Sequence, residues 1–260
     1  MMHNNLFINR MIIYTNDGQI AYNENFHRGV NIIRGNNSSG KSTITHFIFY
    51  VLGGAFNDWV REARQCSFVI AEVELNGATL TLKREINLNK LGKASKTEGL
   101  YIYWGEIKEA LKDNEDWKKF NFNKTDNRKS FSNVLFENLD LPIVKGENNI
   151  TFHQILRLLY VDQESPTNSL FYYEEFDTNL TRETVADLLL GVYNQKLYDK
   201  KQRKVEADKE FDDVKREIKV IKRFIQNPYD LIPSNLSLRI SEKEKRINEI
   251  ENEIILLKEE

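Results

Sequence analysis

The sequence predicts a mixed α/β domain over residues 1–195 followed by a helical arm over residues 196–260. Three observations carry that prediction. Turn sequences separate pairs of alternating apolar runs, a short apolar run leads through a glycine-bearing loop into a helical pattern, and charge density changes near residue 195. Of the 37 basic and 39 acidic residues, 16 and 15 lie beyond residue 195, with signs intermixed as on an exposed helical surface.

Each element follows in order. Met11-Ile12-Ile13-Tyr14 and Gln19-Ile20-Ala21-Tyr22 flank Asn16-Asp17-Gly18, a hairpin signal. Val30–Ile33 reads as a strand, and the spacing from Ser42 to Leu52 predicts a helix. A second hairpin spans Ser67 to Leu75 and Thr79 to Glu85 around Asn76-Gly77. Residues 86–149 are polar and predict only loose helices. Ile155, Leu158 and Leu159 place a helix near 151–160, leading into Val161-Asp162-Gln163-Glu164. A long helix is expected over 183–226, ended by the two prolines of 227–234. In the arm, Ile240, Ile247 and Ile254, with Ile250 and Leu257, take a and d positions of a heptad seam; an amphipathic helix lying on a core is the other reading.

Composition narrows the class. No run of about 18 apolar residues suits a membrane span, and the N-terminus lacks the parts of a signal peptide, so the cytoplasm is the expected location. The single cysteine, Cys66, excludes a disulfide framework or multi-cysteine zinc site within the chain. A net charge of −2 restricts any nucleic-acid contact to local patches. Two candidates are Lys83, Arg84, Lys90, Lys93 and Lys96, then Lys118, Lys119, Lys124, Arg128 and Lys129; ordinary solvated lysines are the alternative.

The sharpest local signal is Gly35-Asn36-Asn37-Ser38-Ser39-Gly40-Lys41-Ser42, which fits G-x-x-x-x-G-K-[ST] without mismatch. Glycines let the backbone curl so that successive N–H groups face a β-phosphate, and the following helix adds its positive end. Lys41 would reach the β and γ oxygens, and the Ser42 hydroxyl would ligate Mg²⁺. The expected cofactors are ATP and Mg²⁺.

The run from Gly35 to Thr43, with the helix ending Tyr50-Val51-Leu52-Gly53-Gly54, resembles the N-terminal half of an SMC-type ATPase head. That group includes chromosome-structuring SMC proteins, SbcC-type repair ATPases and RecN. The resemblance implies a P-loop NTPase of ABC-type head architecture, split in sequence by an antiparallel coiled-coil arm that is incomplete in this chain. It implies that Arg61, twenty positions beyond Lys41, reaches the phosphates in an engaged dimer, with Arg64 as the alternative; a surface ion pair with Glu62 or Asp58 is the plainer reading. It also implies that Tyr160-Val161-Asp162-Gln163 is a Q-loop whose Gln163 contacts Mg²⁺ and the attacking water. A strand ending in Asp162 on magnesium, with Glu164 as base, is the competing reading, and the helical spacing of Ile155, Leu158 and Leu159 opposes it.

The departures define the functional expectation. The chain holds no LSGGQ-like signature and no aliphatic strand ending in Asp-Glu. In the resembled family both come from a C-terminal half, so this chain is expected to be inactive until a completing lobe joins it. The expected function is an SMC-like ATPase whose heads engage on DNA without sequence preference. Its setting would be repair, maintenance or Lamassu-type antiphage defence, with a second head and an effector or nuclease subunit as possible partners. An ABC transporter subunit would need its signature within about a hundred residues of Gln163, where charged helix stands instead. A nucleotide-binding regulatory coiled-coil protein without turnover is the alternative function.

Overall fold

A computed structural model describes residues 5–56, 59–86, 99–112, 116–122, 128–144, 150–162 and 177–224, with a few positions between 237 and 248. The chain divides into two compact units, Met1–Asp199 and Lys200–Glu260.

The first unit is built on one six-stranded sheet of order β2-β1-β3-β4-β5-β6, antiparallel throughout. Its strands are β1 (Leu6–Thr15), β2 (Ile20–Asn25), β3 (Cys66–Leu75), β4 (Ala78–Glu85), β5 (Leu100–Tyr103) and β6 (Lys118–Phe120). Both expected hairpins form. Asn76 and Gly77 turn β3 into β4 with φ of 49° and 89°, the positive pair that a two-residue turn of matching twist requires. At the other turn Gly18 takes φ 80°, the Thr15 N–H donates to the Gln19 carbonyl oxygen at 2.9 Å, and the Thr15 hydroxyl donates to the Asp17 carboxylate.

Period-two alternation gives the sheet two unequal faces. Met11, Ile13, Val69, Ala71, Val73, Leu75, Leu80, Leu82, Leu100 and Ile102 are all buried in the main core. Against them pack α1 (Lys41–Val51), α3 (Phe131–Asn138), α4 (Phe152–Leu159) and α5 (Asn179–Leu189). Full burial of each large apolar side chain is worth about 1.5–3 kcal/mol. The other face holds a small cluster, Ile12, Ile70 and Ile107, the last from the short helix α2 (Ile107–Ala110). Capping boxes begin α3 and α4: Ser130 with Asn133, and Thr151 with Gln154. The Arg157 guanidinium of α4 meets Asp177, just before α5, at 2.6 Å with both side chains under a tenth exposed.

Three expectations need correction. Val30–Ile33 forms no strand; it is unpaired, and Val30 and Ile32 are 79% and 69% exposed. An apolar run becomes a strand only beside another strand, and no described strand pairs with it. Residues 86–149, expected as loose helices, contain β5, β6, α2 and α3. Strands of four and three residues carry little signal of their own and are held by their pairing, Leu100 with Arg84 and with Phe120. The helix expected over 183–226 is two, α5 and α6 (Gln195–Phe224), broken where Gly191 takes φ 69°. Asn194 restarts the chain, its side-chain oxygen accepting from the Leu197 N–H at 3.1 Å.

The proline break at 227–234 and the heptad residues Ile247, Ile250, Ile254 and Leu257 lie outside the described residues. No described helix is long and apolar enough to cross a membrane.

Candidate functional site: a phosphate-binding helix terminus

Intrahelical bonding in α1 begins at Ile44, whose N–H donates to the Gly40 carbonyl oxygen at 3.0 Å. The amides before it belong to the first turn, which a helix leaves without partners of its own. Gly40 occupies the cap position with φ 84°, offers no capping side chain, and the first turn contains no acidic residue. The helix therefore presents bare N–H groups and the positive end of its dipole to an incoming anion.

The loop before it is shaped for the same purpose. Ser38 has φ 61°, so left-handed residues punctuate the curl at 38 and 40, a backbone arrangement that turns N–H groups inward. At Gly35 a β-carbon would stand 2.5 Å from the Ser39 Oγ, so a side chain there would require the Ser39 hydroxyl to turn away. The Lys41 ammonium donates across the loop to the carbonyl oxygens of Gly35 and Asn36, at 3.0 and 2.6 Å. Residues Gly35 to Ser39 and Ser42 are exposed, and Gly40, Lys41 and Thr43 half-buried. The donors fit a triphosphate. Magnesium, which keeps waters and takes few protein ligands beside phosphate oxygens, fits the exposed hydroxyl of Ser42 at the start of α1.

The opposite end of α1 is held from within the core. Arg84, on β4, is 2% exposed and donates through Nη1 to the carbonyl oxygens of Tyr50 and Gly54, both at 2.6 Å. Its guanidinium carbon lies 3.7 Å from the centroid of the Tyr50 ring. Burial pulls the guanidinium below its ordinary pKa, opposed by its interactions with Tyr50. Arg84 is thus removed from the proposed nucleic-acid patch: it satisfies helix-end carbonyls, where positive charge opposes the negative end of the dipole. Its neighbour Lys83 lies over the Phe68 ring at 4.7 Å.

The other expected site residues divide. Arg61 is exposed, on the turn that follows α1. Arg64 donates through Nε to the Trp59 carbonyl oxygen at 2.9 Å. Trp59 anchors that turn against Phe47, Tyr50 and Phe56, with ring centroids 4.8–5.0 Å away. Gln163 lies outside the described residues. The residues leading to it are placed. The Tyr160 ring packs at a tilt on Phe49, centroids 4.8 Å apart, and the Asp162 carboxylate lies 3.8 Å from Nε2 of His46.

His46, which the sequence did not single out, is four residues beyond Ser42 and so on the same face of α1. His153 of α4 joins this side, accepting at Nδ1 from the Ala55 N–H at 3.0 Å. The only available sequence signal was that four-residue spacing.

A family model described as an AAA domain, AAA_23, matches residues 8–260. No curated protein matches the chain.

Proposed function

The chain belongs to the AAA_23 family, P-loop ATPases found in SMC/SbcC-like proteins, and from that membership we propose that it binds Mg²⁺-ATP and hydrolyses it once a second lobe completes the site. The observation that carries this is the curled loop ending on the uncapped start of α1, with Lys41 beside it. Lys41 turns from its own loop carbonyls to the β and γ oxygens, and Ser42 holds the metal. Gln163 orients the attacking water, and Arg61 reaches the phosphates when two heads engage. The general base is a carboxylate of the completing lobe.

Two surfaces support that completion. Val30 and Ile32 before the loop, and Leu159 and Val161 before Asp162, expose alternate apolar residues on either side of the site. Along α6, Leu197, Phe211, Val214 and Ile218 are each about half exposed or more, at spacings of fourteen, three and four, which supports a coiled-coil partner helix. By the resemblance to SMC-type heads, turnover would separate engaged heads on DNA held by phosphate contacts, in repair or Lamassu-type defence, with an effector subunit in the latter.

The test is Lys41→Ala in the intact ATPase. Nucleotide affinity should fall at least a hundredfold with the far-ultraviolet circular dichroism unchanged; retained affinity would overturn the assignment.

A further inference from the structure

We propose that His46 is a positioning residue for turnover: it holds the extended segment Tyr160–Asp162 against the second turn of α1. The inference rests on the P-loop reading above and adds a residue to that site. Four observations converge on it. His46 lies one helical turn beyond Ser42 on the same face of α1. Its Nε2 is 3.8 Å from the Asp162 carboxylate, with both side chains about four-fifths buried. Its ring packs on Phe56 at 4.2 Å and lies 6.2 Å from Tyr160. One turn further, Phe49 takes the Tyr160 ring at 4.8 Å and His153 at 5.7 Å.

This clamp gives a segment without strand pairing a defined place. Leu159 and Val161 point outward, 69% and 77% exposed, so apolar burial alone does not hold it. Two contacts that do hold it are the Tyr160 ring on Phe49 and the Asp162 carboxylate beside His46. Both start from the face of α1 that begins at Ser42, and the His46–Asp162 contact is the nearer to it, one turn away against two for Phe49.

The division of labour follows. Phosphate binding uses loop amides, Lys41 and Ser42, none of which needs His46. Groups brought to the nucleotide by the chain beyond α4 depend on where Asp162 is held. Loss of His46 should therefore lower turnover and leave affinity intact.

The experiment compares His46→Ala, His46→Gln, Asp162→Asn and the double variant His46→Ala/Asp162→Asn with the wild type in the intact ATPase. Three quantities are read: affinity for a fluorescent ATP analogue, kcat, and hydrogen exchange in the peptide covering 156–162. His46→Ala should keep affinity within about twofold, lower kcat at least tenfold, and speed exchange in 156–162 while β3 and β4 stay protected. His46→Gln, whose side-chain amide can donate to the Asp162 carboxylate, should recover part of kcat. The double variant should be no worse than either single change, because one contact is being removed twice. Unchanged kcat, multiplicative losses in the double variant, or affinity falling in step with kcat would overturn the proposal. A wild type that binds no nucleotide would instead overturn the P-loop reading.

Discussion

At the scale of single residues, the burial of Arg84 decides more than any other charge in the described chain. A guanidinium without a carboxylate partner is costly in a core, and here two carbonyl oxygens and an aromatic face offset that cost. Replacing it by Met should leave the Gly54 carbonyl without its Arg84 donor and the Tyr50 carbonyl with the Gly53 N–H, 3.0 Å away, at about 1–3 kcal/mol for the buried acceptor left unpaired. The free energy of unfolding, read from urea titration, should fall by about 1–3 kcal/mol, whereas Lys118→Met should change it by less than about 0.5 kcal/mol. In sequence, Arg84 was indistinguishable from the lysine before it, because burial of one strand position depends on what packs across the sheet. The loop was the reverse case. Lys41 and Ser42 stood out in the sequence because their expected chemistry is tied to a fixed spacing, and Gly40 because the φ of 84° at the helix start favours glycine.

At the scale of elements, local turn chemistry made the hairpins legible and its absence hid β5 and β6. Asn76-Gly77 announces its own geometry. Gly77→Ala meets no steric obstacle, so its cost should come from φ 89° alone: about 1–2 kcal/mol, seen as a fall of a few degrees in Tm. Leu100–Tyr103 has no such flanking signal and depends on neighbours that the sequence places sixteen or more positions away. The α5–α6 junction was hidden for another reason: Leu190 and Val192 sustain an apolar pattern across Gly191, and both prove exposed. Just past the break, the Tyr193 hydroxyl donates to the Gln195 side chain at 2.7 Å. Burial, with the charges of Tyr198 and Asp199, pushes its pKa up to about 12. The unfolded chain ionises this phenol near pH 10 and the folded chain does not, so its stabilising contribution is complete below pH 10 and lost as pH rises toward 12. Tyr193→Phe should therefore flatten the loss of stability with pH between 10 and 12, measured by denaturant midpoints across that range.

At the scale of the molecule, the phosphate loop and its helix lie wholly within the unit Met1–Asp199. Tyr198, 3% exposed in its core, falls inside that boundary. A chain ending after Asp199 should bind nucleotide within about twofold of the 260-residue chain, as fluorescence titration would read; a tenfold loss would show that residues beyond 199 contribute to the site. The bare start of α1 has a consequence for the whole unit. A helix whose first amides and positive end wait for an anion is stabilised by whatever occupies them, so nucleotide acts as a missing cap. Folding and binding are then one linked equilibrium. At a hundred times its Kd a bound nucleotide adds about 2.7 kcal/mol to the free energy of unfolding, and a melting curve becomes a binding isotherm.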